Sequence, residues 1–189
     1  MISIARAPKA GLVLVSKNVV LANATSNLEM AVRRAPTTLK PHPLYTVNVD
    51  GVLDKRLLAR CKRTAWQYIL VQGGDPIGLA EVASNRDGRP GRLAYAARYS
   101  DEYAKVMLAA MEAARVELEN SPKDYALRIL RAPAIYLQAV WMHAKDDDVF
   151  FPIAPVPAAI EPNKRITEAE LTERLLPLAR QRAAANDRG

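Results

Sequence analysis

Between residues 53 and 64 the chain places Lys55, Arg56, Arg60, Lys62 and Arg63, with no acid after Asp54. Read as one helix, Arg56, Arg60 and Arg63 share a side with Lys55 and Lys62 beside them, and Leu57, Leu58, Cys61 and Ala65 share another. Like charges at that spacing repel. A polyanion would relieve the repulsion and gain free energy by releasing counterions. The same run also fits a solvated helix face whose charges pair with acids from elsewhere in the fold. A second cationic group lies in the polar stretch 84–92, where Arg86, Arg89 and Arg92 precede Arg98, with Tyr95 and Tyr99 nearby. The guanidinium fork suits phosphate and stacks on aromatic rings, although a polar loop is also the ordinary way to join two elements. Lys55, Arg56, Arg60, Lys62, Arg63, Arg86, Arg89 and Arg92 are the residues expected to meet an anionic partner.

Three other constellations carry weaker chemistry. His143 with Asp146, Asp147 and Asp148 offers donors to a divalent cation, but it lacks the glycine and distal glutamate of a calcium loop, and aspartates are standard turn residues. Gly73-Gly74 has neither the lysine of a phosphate-binding loop nor the spaced glycines of a dinucleotide turn, so it reads as a hairpin turn. Cys61 sits among cations that would favour a thiolate, yet on the apolar side of its helix, where cysteine packs as a small hydrophobe. His42 lies between two prolines, a poor mount for a general base. No nucleophile elbow and no His-Glu-x-x-His occur. The sequence therefore points to no catalytic residue, metal site or cofactor, and only carboxylates or histidines converging in the fold could supply an enzyme.

The 189 residues carry a net charge of +7, and its distribution is uneven. Residues 1–65 hold 11 Lys/Arg against Glu29, Asp50 and Asp54, a surplus of 8, and the remainder is close to neutral at −1. The excess belongs to the first third and favours an acidic protein face, nucleic acid or a phosphorylated ligand, when it does not simply serve solubility. The single Cys61 excludes an intramolecular disulfide and suits a reducing, cytoplasmic setting. No apolar run approaches the ~20 residues that span a bilayer. Residues 11–15 and Ala22-Asn23-Ala24 have the outline of a signal peptide, but Ser16, Lys17 and Asn18 interrupt its core.

These residues need elements to position them. In 1–43, an N-terminal arm and proline-rich linker, Leu12–Val15 and Val19–Leu21 suggest two short strands. Ser26 and Glu29 have capping-box spacing for a short helix, and Pro36, Pro41 and Pro43 break the chain. From residue 44 the patterns give a strand over 44–49, a helix capped by Asp50 or Asp54 and running to about Thr64, and a hairpin of 66–72 with 77–83. A helix behind Ser100 follows, with Tyr103, Val106, Met107, Ala110, Met111, Ala114 and Leu118 on one stripe. A strand over 125–131, a second hairpin of 135–143 with 149–154, and a helix opened by a Thr167–Glu170 capping box complete it. The expected class is α+β: an antiparallel sheet of about five or six strands built from hairpins, packed by two or three helices. One domain spans 44–182, and 183–189 is a flexible tail. Strands apolar on both sides require a helix on each face, or another chain on one of them.

Three functions follow in order. The first is a non-catalytic protein-interaction or accessory module with a basic face, through a protein partner or self-association. The second is a nucleic-acid binder using the 53–64 helix and the 86–98 loop, without a helix-turn-helix, zinc finger or ribonucleoprotein motif in support. The third is an enzyme whose site is assembled only in the fold.

Overall fold

Val52 and Leu57 are both fully buried, yet five positions along one helix would turn them roughly 140° apart. The computed structural model, which describes residues 1–24, 37–83 and 100–186, resolves this by breaking the chain. Helix α2 (Val49–Leu53) is capped by Asn48, whose Oδ1 accepts from the Gly51 N–H at 3.1 Å. Lys55 then adopts the left-handed conformation at φ 53°, and a separate turn of helix, α3 (Leu57–Arg60), follows. Cys61 is already extended and the strand β4 begins at Lys62. The single helix expected to run to about Thr64 is therefore two short ones followed by a strand. Lys62 and Arg63 belong to that strand.

The remaining elements are β1 (Ile2–Ile4), α1 (Lys9–Ala24), β2 (Thr37–Thr38), β3 (His42–Thr46), β4 (Lys62–Gln72), β5 (Asp75–Ala83) and α4 (Asp101–Glu117). After these come β6 (Tyr125–Ala132), a 3₁₀ turn (Pro133–Ile135), β7 (Leu137–Ala144), β8 (Asp147–Pro152), β9 (Ile166–Thr167) and α5 (Glu168–Asn186). The class is α+β with mostly antiparallel pairing, as expected, but the described residues hold nine strands and five α-helices, more than five or six strands and two or three helices. The six strands expected from residue 44 are β3 to β8. The three others, β1, β2 and β9, have two or three residues each, too few to show a period of two.

Two compact units emerge. The first comprises Ile4–Pro43 and Thr64–Lys105. Its hairpin pairs β4 with β5 from Ala65↔Ala83 to Gln72↔Asp75, and the two-residue turn has positive φ at both Gly73 (63°) and Gly74 (96°), the geometry that favours glycine in tight hairpins. Strand β2 pairs antiparallel with β4. Helix α1 replaces the two short strands expected over 12–15 and 19–21. Only Gly11 and Val15, one helical turn apart, are buried in its described part, while Leu12 and Val13 stay exposed. An apolar run with so little amphipathicity gives no helical period to read. Val15 joins Trp66, Tyr68 and Val82 in a small core. The helix suggested behind Ser26 and the loop 84–92 fall outside the described residues.

The second unit comprises Met1–Ser3, Leu44–Arg63 and Val106–Gly189. Strand β3 runs parallel to β6 (Tyr45↔Leu130), and β6, β7, β8 and β9 follow antiparallel, with β1 also on β6. One sheet face buries Leu130, Ala132, Ala139, Trp141 and Phe150 against Val52, Leu57, Leu171 and Leu175 of the helices. The other face buries Ile129, Val140, Met142, Val149 and Phe151, so the two-sided apolar strands are covered within the chain. The Thr167 capping box forms as expected: its N–H donates to Glu170 Oε2 at 2.9 Å, and the Glu170 N–H donates to Thr167 Oγ1 at 3.3 Å. Ser100 likewise caps α4, accepting from the Tyr103 N–H. Among the described residues, no helix is long and apolar enough to cross a membrane.

Candidate functional site

The basic segment keeps its exposure but not its helical arc. Lys55, Arg56, Arg60, Lys62 and Arg63 are all exposed. Arg60 Nη2 donates to Asp54 Oδ2 at 3.1 Å, an exposed pair whose contribution to stability is small. Among the described residues, Lys55, Arg56 and Lys62 make no ion pair. The three arginines thus stand on different elements: Arg56 on the bend before α3, Arg60 at the end of α3, Arg63 on β4. What the fold preserves is proximity in a short, bent stretch anchored by Val52 and Leu57. Arg86, Arg89 and Arg92 lie outside the described residues.

A second constellation assembles through strand register. Arg128 stands across from Trp141 on the β6–β7 ladder, and Ala126 across from His143. His143 in turn faces Asp148 across β7–β8. The Arg128 guanidinium carbon lies 4.7 Å from the Trp141 ring centroid and 5.1 Å from that of Tyr45, and the two rings meet edge to face at 5.1 Å. This is a cation held on aromatic faces, and among the described residues Arg128 has no ion-pair partner. Asp148 Oδ1 accepts from the Trp141 indole N–H at 2.6 Å and lies 2.7 Å from His143 Nδ1. A carboxylate at that distance orients the His143 ring through Nδ1. Tyr45, Ala126, Arg128, His143 and Asp148 are half-buried, and Trp141 is buried.

Cys61 borders the same group. Burial pushes its thiol up to about 12; Glu168 and Asp148 add to the shift and Arg128 opposes it. The thiol is protonated at neutral pH and is a packed side chain rather than a nucleophile. Glu168 is engaged structurally, its Oε1 accepting from the Leu58 N–H at 3.1 Å.

The aspartates near His143 divide between two jobs. Asp148 serves the Trp141–His143 pair. Asp147 accepts from the Tyr125 hydroxyl at 2.5 Å and pairs with Lys123 at 2.9 Å, contacts that hold its carboxyl below the usual range. Among the described residues, no cluster of three or more His, Cys, Asp or Glu could hold a metal ion.

Sequence reasoning singled out His143 and Asp148 but missed Arg128, Tyr45 and Trp141. The signal for them was an arginine and a tryptophan in strands joined by a tight connection, on the face left when Ile129 and Val140 point the other way. Chemically the group offers a stacked cation beside a histidine with one nitrogen fixed by a carboxylate. Compared with protein-family models, curated proteins and solved structures, the chain matches none, so its site rests on its own geometry.

Proposed function

We propose that the chain is a non-catalytic interaction module that docks an acidic protein segment on the exposed stretch from Lys55 to Arg63. The observation that carries this reading is the set of three solvent-facing cations, Lys55, Arg56 and Lys62, without an ion pair among the described residues, on a backbone anchored by buried Val52 and Leu57. A fixed backbone lowers the ordering cost of binding, and unpaired surface cations speed encounter with an acidic partner. Asp50 and Asp54 lie immediately before the positive stretch, and Asp54 pairs with Arg60, so the run of cations is short, which suits a short acidic peptide better than the extended, evenly charged backbone of nucleic acid. Self-association through this stretch would set like charges against each other. A reducing compartment belongs to the same proposal and rests on the lone Cys61.

The test is fluorescence anisotropy of a labelled oligoglutamate peptide against the full chain at low salt, with a single-stranded oligonucleotide alongside. Binding of the peptide that weakens steeply with salt, and at least tenfold in K55E/R56E/K62E, is the expected result. Equal binding by the variant, or a marked preference for the oligonucleotide, would overturn the reading.

A further inference from the structure

We propose that the groove between the Pro133–Ile135 turn, the Pro155–Pro157 segment and the last turns of α5 binds a small amphiphilic carboxylate, an apolar or aromatic body that carries one negative charge. The groove shares no residue with the basic segment and does not depend on that segment's role.

The length of α5 creates it. The stripe of this helix that packs on the sheet ends at Ala179, its last fully buried residue, yet the helix continues to Asn186. Leu178, Gln181, Arg182 and Ala185 stand at i, i+3, i+4 and i+7, so they share one side of this extension. That side forms one wall of a groove of about 420 Å³, within the ~300–1,000 Å³ of small-molecule sites. Ile135, also in the lining, is buried, and half-buried Val156 and Leu178 pack against the same core cluster. The apolar lining is thus continuous with the core, and the fold sets its shape.

Tyr136 stands at the rim, 79% exposed and with φ 54°. The left-handed conformation is unfavourable for an aromatic residue, and no burial of the ring offsets it. Glycine or asparagine would satisfy the turn without a ring, so the backbone geometry does not account for the aromatic group. Strain of this kind gathers at binding sites.

The charge selects the ligand's head group. Among the described residues, Arg182 is the single charged side chain in the lining, and it has no ion-pair partner. The Gln181 amide adds a neutral donor beside it. One guanidinium balances one carboxylate, whereas a phosphate dianion would bring a second charge with no cation to meet it. A bare anion such as acetate would leave Pro155, Val156 and Leu178 in water. A second copy docked symmetrically would set Arg182 and the neighbouring Arg180 against their own equivalents. A partner helix needs a trough with anchors at successive turns, and here the lining comes from three short stretches of chain.

The probe is 4-phenylbutyrate, titrated into the full-length, ¹⁵N-labelled protein at neutral pH, with backbone amide shifts as the readout. 4-Phenylbutanamide removes the charge, 4-phenylbutylamine reverses it, and acetate removes the apolar body. Expected are saturable shifts at residues 134–136 and 178–185 with millimolar 4-phenylbutyrate, and binding about fivefold weaker for each control. R182Q should reduce the carboxylate's affinity to that of the amide. Y136N keeps the left-handed turn without the ring and should weaken all three phenyl ligands while the spectrum stays native. A185W, on an exposed helical position, should block the groove. The K55E/R56E/K62E variant should bind as the wild type does. No saturable shift, shifts confined to other residues, equal affinity for the amide or amine, or unchanged binding in both R182Q and Y136N would refute the proposal. So would shifts at 134–136 and 178–185 that follow protein concentration instead of ligand, which would assign the groove to a second copy of the chain.

Discussion

The segment from Lys55 to Arg63 and the cluster around Arg128 both display positive charge, but they hold it in opposite ways. In the first, five cations stand in solvent on a short bent backbone, and Arg60 meets an exposed aspartate. In the second, one cation lies half-buried on two rings, and its neighbours are tied together by the Asp148 carboxylate. The contrast separates two meanings of charge. Exposed cations cost folding almost nothing and are free to act on a partner. Partly buried polar groups must be satisfied, so their positions are fixed by the fold itself.

The largest effect takes that contrast to its limit. His42 is 4% exposed and its Nδ1 has no hydrogen-bond partner among the described residues, and burial lowers its pKa from 6.5 to about 4. In the unfolded chain the ring takes up its proton near the ordinary value, so between those two pH values the unfolded state binds more protons than the folded one. The stability carried by the neutral ring is complete above 6.5 and is lost as pH falls towards 4, by about 3 kcal/mol at the lower end. Urea unfolding across this window should show the decline, and His42→Phe should flatten it. An unchanged pH profile in that variant would assign the decline elsewhere.

Next is Asp148→Ala, which strands the buried Trp141 indole N–H and the His143 ring. Urea denaturation should report a loss of about 2 kcal/mol, the cost of leaving a buried donor unsatisfied. A loss near zero would mean the carboxylate does not organise the Trp141–His143 cluster. Arg128→Met removes the cation from the rings but keeps an apolar stem, and should cost about 1 kcal/mol. Smallest of all, K55E/R56E/K62E should move stability by less than ~0.5 kcal/mol, as exposed substitutions do. A large destabilisation there would erase the distinction between the two regions.

The two regions also differ in how far they could be read from sequence. The run of cations was plain, but its placement was not. A helical wheel drawn through Arg56, Arg60 and Arg63 ignored that Val52 and Leu57 cannot both face inward from one helix, and the demand to bury both broke it at Lys55. Helix caps were legible because they depend on residues a few positions apart: Thr167 with Glu170, Ser100 with Tyr103. The Gly73-Gly74 hairpin was legible for the same reason. Helix α1 was not, because its apolar run Gly11–Val15 leaves Leu12 and Val13 in solvent and shows no stripe. The Arg128 cluster was half legible: His143 and Asp148 are five residues apart, but Arg128 and Tyr45 reach Trp141 only through the β3–β6–β7 register, and Tyr45 is 96 positions away from Trp141 in the chain. Local chemistry can be read from spacing, whereas chemistry assembled across strands requires the register.

Backbone amide chemical-shift mapping of the full chain with the oligoglutamate peptide tests the central claim most directly. The account predicts salt-sensitive shifts concentrated at residues 55–63 and their loss in K55E/R56E/K62E. Shifts that leave this segment untouched, or that persist in the variant, would contradict it.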